Sequence, residues 1–392
     1  MIKGQNIICI GNFNWFGNYA KSTVQLLERL AKCNNILFIE YPFTYKDMLQ
    51  TLRGKQNAPA KRMFGLEPRL QQITTDSQTQ VHTLVVPPVL PLYFLKNESI
   101  FNFLFKFNTW IYRNSVKRAM KKLKMNDPIL ITAYNPFYGL KMDGKLNEKT
   151  HIYYCYDGVE PGFFGNRIFK FETDFSMKVK AIITTSDHLL AGKLPLNPNS
   201  HVVKNGVDFP AFERFAKQFL YVRDRKRVGF IGSLDPRFDI ETVEYAVKTL
   251  QEFDFEFTGD MRNQAMRSRL SKYSNVRFFD PVAPTDVPEL LAKYDVGMIP
   301  YIVNEVNKNI YPLKINEYLA VGVPVVMTPF ASLTDFEGMV EVADSKEDFC
   351  LKLKKEVEED SVDKIQNRIR FAANNSWEQR TEEFSTILEK YI

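Results

Sequence analysis

The residues best suited to chemistry in this chain lie in one segment of its second half, residues 309–324. Lys314 and Glu317 are three positions apart, so a helix here would place both side chains on one face near its first turn. The first turn of a helix favours anions such as phosphate. The carboxylate of Glu317 is suited to accept two hydrogen bonds from neighbouring hydroxyl groups. The plainer interpretation is an amphipathic helix that opens with a salt bridge.

A second phosphate-binding candidate follows an apolar stretch that begins at Val228. Gly232 permits close approach of the backbone to an anion, Ser233 offers a hydroxyl, and Arg237 offers a charge-assisted hydrogen bond. An ordinary strand-to-helix turn is the alternative for a single glycine in this position. Together with Lys314, these residues predict an anion site at the carboxyl ends of strands, where open α/β sheets bind ligands.

The elements that must position these residues alternate along the chain as short apolar strands and longer amphipathic helices. This order predicts parallel sheets covered by helices. Two series of strands, one from Asn6 and one from Val228, predict two Rossmann-like halves with a hinge near residue 210. A length of 392 residues also exceeds what one core usually serves. Residues 50–80 are polar and predict a long mobile loop.

The amino-acid composition argues against several classes of function. There are 52 Lys and Arg against 46 Asp and Glu, a net charge of +6 that is too mild and dispersed to indicate nucleic acid. The four cysteines form no Cys-x-x-Cys pair, which indicates buried free thiols in a reducing compartment. No signal peptide or apolar membrane span is evident, so we expect a cytoplasmic protein. No group of His, Asp and Glu has metal-binding spacing, so we expect no metal cofactor.

The order of these segments resembles the retaining glycosyltransferases with the GT-B fold. The similarity rests on the Gly232 loop, residues 275–282, residues 294–301, and the helix that carries Lys314 and Glu317. It extends over nearly the whole second half of the chain. The segments 132–137 and 153–160 in the first half resemble those of teichuronic-acid-type and other capsule-building transferases.

The resemblance implies an α/β GT-B fold in which two Rossmann-like domains face a central cleft. In that family the last helix crosses back onto the N-terminal domain. Residues 1–208, completed by 376–392, would then bind the acceptor, and residues 209–375 would bind the nucleotide-sugar donor.

The resemblance also implies roles for individual residues. Glu317 would hold the ribose hydroxyls, Lys314 and Arg237 would face the phosphates, and residues 280–282 would flank the base. The catalytic candidates are Asp157, Arg237 and Lys314. The donor-binding candidates are Gly232, Ser233, Arg237, Asp280, Pro281, Val282, Tyr301, Asn309, Leu313, Lys314 and Glu317.

Two positions depart from the family pattern. Many members carry a glutamate where this chain has Asn309, and an arginine where it has Ser233. An amide hydrogen-bonds a sugar but cannot stabilise a positive anomeric centre by charge. The cationic contribution therefore falls to Arg237 and Lys314.

The first half carries the expected acceptor site. The loop that follows the first strand lacks the Gly-x-Gly-x-x-Gly pattern, which argues against a dehydrogenase. Trp15 could stack on a sugar ring, and Gly17 could approach a phosphate. Asp157 is the candidate for orienting or deprotonating the acceptor, with the capping of a turn as its alternative. The acceptor-binding candidates are Asn12, Trp15, Gly17, Asn135, Tyr156 and Glu160.

The implied function is the transfer of a sugar, with retention, from a nucleotide diphosphate donor to a hydroxyl of a glycan or lipid-linked glycan. The alternatives are a nucleotide-sugar epimerase of the same fold and a non-catalytic partner in polysaccharide assembly. Residues 90–124 combine aromatic side chains with a cationic end. They predict either a helix on the anionic inner face of the membrane or a domain helix whose apolar face is core.

Overall fold

The computed structural model describes residues 1–16, 21–55, 58–75, 77–159, 165–260 and 263–392. The chain forms two compact units. The first contains residues 1–204 and 381–392, and the second contains residues 205–380. The boundaries expected from the sequence were residues 208 and 376.

The first unit is built on a sheet of eight strands. These strands are β1 (Asn6–Ile10), β2 (Asn35–Ile39), β3 (Leu70–Thr74), β4 (Gln80–Leu84), β5 (Ile129–Ala133), β6 (Thr150–Cys155), β7 (Ala181–Thr184) and β8 (Ser200–Val202). Their order in the sheet is β3-β4-β2-β1-β5-β6-β7-β8. Only the β3–β4 pair is antiparallel among these neighbours.

Helices cover both faces of this sheet, as its buried strands require. They are α1 (Ser22–Leu30), α2 (Tyr45–Leu52), α3 (Ala60–Phe64), α4 (Glu98–Leu123), α5 (Pro136–Met142), α6 (Arg167–Lys178) and α7 (Asp187–Lys193). Every residue of β5, β6 and β7 is buried.

The second unit repeats this architecture with a wholly parallel sheet. Its elements are α8 (Phe209–Glu213), β9 (Lys226–Ile231), α9 (Ile240–Thr249), β10 (Phe253–Thr258), α10 (Gln264–Leu270), β11 (Val276–Phe279), α11 (Val287–Ala292), β12 (Val296–Ile299), α12 (Leu313–Ala320), β13 (Val325–Met327), β14 (Glu341–Val342), α13 (Lys346–Glu358) and α14 (Val362–Asn374). The last helix, α15 (Trp377–Glu389), begins at the end of this unit. The strand order is β11-β10-β9-β12-β13-β14. This is the doubly wound order of Rossmann folds, so the prediction of two Rossmann-like halves is confirmed.

The last helix returns to the first unit. Phe384 and Leu388 lie in the same core cluster as Ile7 and Cys9 of β1. The Ile2 amide donates to the hydroxyl of Ser385 at 3.3 Å. The two ends of the chain therefore complete one core.

Two sequence expectations are wrong. Residues 50–80 do not form one long loop, because α3 and β3 lie within them. Their polar composition reflects an edge strand, whose side chains are mostly half exposed. Cys33 is exposed, whereas Cys9, Cys155 and Cys350 are buried.

None of the helices in the described ranges combines the length and the apolar character needed to cross a bilayer.

Candidate functional site

The second sheet has its reversal point at β9, which pairs with β10 on one side and with β12 on the other. The loops that leave β9 and β12 turn in opposite directions at such a point and open a crevice at the carboxyl edge. The first of these loops begins at Gly232, and the second contains Tyr301 and leads to α12. Most of the predicted donor-binding residues therefore lie on two adjacent loops and one helix.

Gly232 and Lys314 are in direct contact at this edge. Gly232 has a φ of +142°, and a Cβ at this position would lie 2.2 Å from Lys314 Nζ. The ammonium group donates to the hydroxyl of Tyr301 at 3.0 Å and lies 4.6 Å from the centroid of the Phe230 ring. Only glycine leaves room for the lysine here, and the two aromatic side chains fix where its charge is held.

Arg237 reaches the same place with a partner that sequence reasoning missed. Asp235 accepts hydrogen bonds from Arg237 Nε at 3.0 Å and from Arg237 Nη2 at 2.5 Å. Burial raises the pKa of Asp235, but the hydrogen bonds and charge of Arg237, with the charge of Lys314, hold it below its usual value. The carboxylate therefore stays ionised between two cations. The spacing of two residues between Asp235 and Arg237 was the available signal.

Backbone hydrogen bonds join the β9 loop to the β12 loop. Phe238 and Tyr301 form an antiparallel bridge. The Ile302 amide donates to the Arg237 carbonyl, and the Asp239 amide donates to the Pro300 carbonyl, both at 2.8 Å. The loop that carries Arg237 is thus held in register with the loop that carries Tyr301, the hydrogen-bond partner of Lys314.

Glu317 lies one turn along α12 from Lys314. Burial raises the pKa of Glu317 to about 7, and the nearby charge of Lys314 opposes that rise. Among the described residues, none donates a hydrogen bond to this carboxylate. Pro312 precedes the helix and supplies no side-chain cap. The first turn of α12 can therefore receive an anion, and Glu317 can receive hydroxyl groups.

The other donor-binding candidates occupy the same edge with differing roles. Leu313 is the first residue of α12, and Ser233 follows Gly232; both are partly exposed. The side-chain amide of Asn309 donates to the carbonyls of Glu305 and Val306 in its own turn, and its role at the donor site stays a prediction.

The loop expected to flank the base follows β11, two strands away from β9. Asp280, Pro281 and Val282 are all exposed there. The Gly259 amide, at the end of β10, donates to the Phe279 carbonyl at 3.1 Å, which ties this loop to its neighbour. The three residues lie at the expected edge, and no described contact joins them to Lys314 or Glu317.

The first sheet has its own reversal point between β1 and β5. Asn135 bridges it, because its side-chain amide donates to the Gly11 carbonyl at 3.3 Å. Its side-chain oxygen accepts from the Tyr138 amide and caps α5. Asn135 is buried, so its observed role is to hold the two loops together.

Tyr134 is the residue at this edge that the sequence-based site omitted. It has a φ of +51°, which is unusual for a tyrosine and marks local strain. Its ring packs on that of Tyr156 with centroids 5.3 Å apart, and its hydroxyl donates to the Gly158 carbonyl at 2.9 Å. Tyr134 and Tyr156 therefore form an aromatic pair next to Asp157.

The structure corrects the role given to Trp15. Its indole is only 5% exposed and packs edge-on against Phe38, with centroids 5.2 Å apart. It therefore belongs to the core and has no face available to a sugar. Among the described residues of this loop, Phe16 has an exposed ring and Asn12 is partly exposed. Gly17 and Glu160 lie outside the described residues.

Asp157 is exposed at the carboxyl end of β6. One of its carboxylate oxygens accepts from the Gly158 amide at 2.8 Å. This is the turn geometry given above as the alternative to a catalytic role. Both interpretations fit an exposed carboxylate at this edge.

One group of residues in the described part of the chain has metal-like spacing. The ligand atoms of Asp143, Glu148 and His151 lie within 4.8 Å of one another. His151 already contacts Asp143 through Nδ1 and Thr132 through Nε2. Glu148 accepts hydrogen bonds from backbone amides. These hydrogen bonds explain why the three side chains lie close together, and we assign them a structural role.

The second unit is similar to a known family. Residues 225–368, which span β9 to α14 and include the Gly232 loop and α12, match the family model for glycosyl transferases group 1.

A curated relative of the chain is the putative teichuronic acid biosynthesis glycosyltransferase TuaH of Bacillus subtilis strain 168. The two sequences are 30% identical over 143 residues, which is 35% of this chain and 36% of that protein. The match therefore spans only about a third of the relative.

Solved structures match nearly the whole length of the chain. The UDP-forming α,α-trehalose-phosphate synthase from Burkholderia xenovorans matches with a TM-score of 0.69 and 10% identity, over 99% of each chain. Anabaena Alr3699/HepE in complex with UDP and glucose matches with a TM-score of 0.64 and 10% identity, over 98% of this chain and 100% of that one. At such low identity the similarity establishes the fold alone, and the predicted GT-B fold is confirmed.

Proposed function

We propose that the chain is a glycosyltransferase that moves a sugar from a nucleotide diphosphate donor to a hydroxyl of a glycan or lipid-linked glycan. The observation that carries the proposal is the contact of Lys314 with Gly232 at the reversal point of the second unit, with Arg237 and Glu317 close by. This arrangement provides two cations for a pyrophosphate and one carboxylate for a ribose.

The reaction would depend on these cations. When the bond between the sugar and the diphosphate breaks, negative charge builds on the departing oxygen, and preorganised cations lower the energy of that state. Lys314 is already held by Tyr301, while Arg237 would exchange Asp235 for a phosphate oxygen. The proposal includes retention at the anomeric carbon and requires no metal ion, because the two side chains supply the neutralising charge.

The biological setting is also part of the proposal. The name of the Bacillus relative refers to teichuronic acid biosynthesis. For this chain we propose a cell-envelope polysaccharide, such as teichuronic acid or a capsule, that is made on the cytoplasmic side. The two similar structures are described with UDP, which makes uridine nucleotides the first donors to test. The acceptor would bind at the edge of the first sheet near Tyr134, Tyr156 and Asp157.

The decisive experiment measures donor use by the purified full chain. A thermal-shift panel of nucleotide sugars identifies the donor, since a ligand that binds the folded state raises its stability. Release of nucleotide diphosphate is then compared in the wild type, Lys314→Ala and Lys308→Ala. Loss of Lys314 should slow turnover by about 10²–10³-fold, as expected when one stabilising donor is removed. Lys308 is partly exposed and pairs with Glu305, so its loss should leave turnover unchanged.

Two other functions predict different results. An epimerase would convert the donor sugar without any acceptor, so analysis of the products with and without acceptor separates it from a transferase. A non-catalytic assembly partner is favoured by Asn309, whose amide is engaged within its own turn. Folded protein that binds no nucleotide sugar in the panel would contradict the proposal and support that partner.

A further inference from the structure

The helix α4 exposes a continuous apolar stripe. Phe101, Phe105 and Tyr112 on its inner face are buried in the core of the first unit. The outer face instead exposes Ile100 by 50%, Phe103 by 72%, Phe107 by 50% and Trp110 by 53%. These positions recur every three or four residues and therefore lie on one line along the helix. The rings of Phe107 and Trp110 stack, with centroids 6.1 Å apart.

The same stripe becomes cationic toward the end of the helix. Continuing at intervals of three or four residues from Trp110, it passes through Asn114 and reaches Lys117 and Lys121, with Lys124 just after the last residue of the helix. All three lysines are exposed. One face of α4 thus presents aromatic rings over its first half and ammonium groups over its second half.

Charge in the surrounding sequence is strongly segregated. Residues 45–124 contain 14 Lys or Arg and four Asp or Glu, a net charge of +10, although the whole chain carries only +6. The rest of the chain is therefore net acidic. The same stretch exposes Leu49 by 48%, Leu52 by 70% and Phe94 by 74%. Apolar exposure and positive charge coincide in this part of the first unit.

We propose that the outer stripe of α4 docks on an anionic membrane surface. Aromatic side chains partition to the boundary between headgroups and acyl chains, and lysines bind anionic headgroups. The aromatic rings and the lysines lie one after the other on the same face of α4. This helix is not long and apolar enough to cross a membrane. Membrane docking is independent of sugar transfer. It can therefore be tested without knowing the donor or the acceptor.

The test is co-sedimentation of the full chain with vesicles. Wild type should bind vesicles of phosphatidylcholine containing phosphatidylglycerol, bind pure phosphatidylcholine poorly, and lose affinity as salt rises. Replacing two basic residues, as in Lys117→Glu with Lys121→Glu, should weaken binding by about thirtyfold or more. Phe103→Ser with Phe107→Ser should weaken it at least about tenfold, since two rings no longer insert.

Matched controls come from the second unit. Phe219 is 61% exposed, so Phe219→Ser removes a comparable ring elsewhere. Lys272→Glu with Lys354→Glu changes the net charge equally, and both lysines are exposed. These controls should bind vesicles like the wild type, with unchanged circular dichroism in every variant.

Two results would overturn the proposal. One is equal binding, or none, to anionic and neutral vesicles by folded wild-type protein. The other is self-association, measured by analytical ultracentrifugation, that is abolished by the Phe103 and Phe107 substitutions while vesicle binding is absent. That second result would assign the stripe to a second copy of the chain instead.

Discussion

The sheet edges of the two units carry different kinds of side chain, cationic in the second unit and aromatic in the first. In the second unit, the β9 loop carries Arg237 and α12 carries Lys314, and backbone hydrogen bonds hold the β9 and β12 loops in register. In the first unit, the β5 and β6 loops carry the Tyr134 and Tyr156 pair, and Tyr134 has a left-handed backbone.

This difference follows from what each edge would bind. A pyrophosphate presents the same charge in every donor, so its site can rely on fixed cations and a glycine that lets them approach. Acceptor hydroxyls are neutral and differ from one glycan to another, so aromatic faces and exposed polar groups suit them better. Substitutions at the two edges should therefore separate donor binding from acceptor binding.

The largest effect is expected at the glycine of the second unit. Gly232→Ala adds a methyl group where Lys314 Nζ lies 2.2 Å away, at a φ of +142° that disfavours any side chain. Displacement of the lysine should lower donor turnover by about 10²-fold or more. The backbone strain should cost about 1–3 kcal/mol of unfolding free energy. Donor release kinetics and chemical denaturation measure the two effects.

Gly192→Ala is the control for this substitution. Gly192 lies in α7, where an added Cβ would meet no atom within 4 Å. Alanine should leave turnover unchanged and raise helix stability by about 0.5–1 kcal/mol. If Gly232→Ala behaved like Gly192→Ala, the proposed position of Lys314 at the phosphate site would be wrong.

An intermediate, pH-dependent effect is expected at Glu317. Its pKa is about 7, against an ordinary value of 4.5. Ribose hydroxyls donate to the ionised carboxylate, so nucleotide affinity should increase as the pH rises from about 6 to 8. Glu317→Gln should bind about tenfold more weakly at pH 8 and lack this pH dependence, as measured by calorimetry.

The free energy of unfolding should fall as the pH rises, whereas nucleotide affinity should increase. Because folding raises the pKa of Glu317, the stability contribution that is present below pH 4.5 is lost as the pH rises through about 7. Glu317→Gln should thus be more stable than wild type at pH 8 by on the order of 2 kcal/mol, and similar to it near pH 4. Equal stability of the two proteins at both pH values would contradict the burial of the carboxylate.

The smallest effect is expected in the first unit. Tyr134→Phe removes the hydrogen bond to the Gly158 carbonyl but keeps the ring against Tyr156. The acceptor KM should rise by about two- to tenfold, the usual value of one hydrogen bond, while donor hydrolysis stays unchanged. Tyr221→Phe in the second unit is the control. A parallel loss of donor hydrolysis in Tyr134→Phe would remove the proposed separation of the two edges.

The second unit was the more predictable from sequence. Gly232, Lys314 and Glu317 stand at the ends of strongly apolar strands or on one helix turn, so short spacings in the chain fix where they lie. Asp235 was missed because its importance comes from pairing with Arg237, and a carboxylate beside a loop proline usually indicates only a turn. Asn309 faces its own backbone, which no spacing rule reveals.

The first unit was less predictable because its signals are weaker. Trp15 lies in a loop, yet packing against Phe38 draws it into the core. The strand β3 reads Leu-Gln-Gln-Ile-Thr, with little apolar alternation, since it is an edge strand with half-exposed side chains. The backbone strain at Tyr134 comes from tertiary contacts, and a tyrosine in the sequence does not indicate a positive φ.

The return of α15 to the first unit determines when that unit can finish folding. Its core includes Ile2 at one end of the chain and Leu388 at the other, while the whole second unit is encoded between them. On the ribosome, the sheet of the first unit must therefore wait, incomplete, until α15 has been synthesised. Removal of residues 381–392 would uncover Ile2, Ile7 and Cys9 in this core.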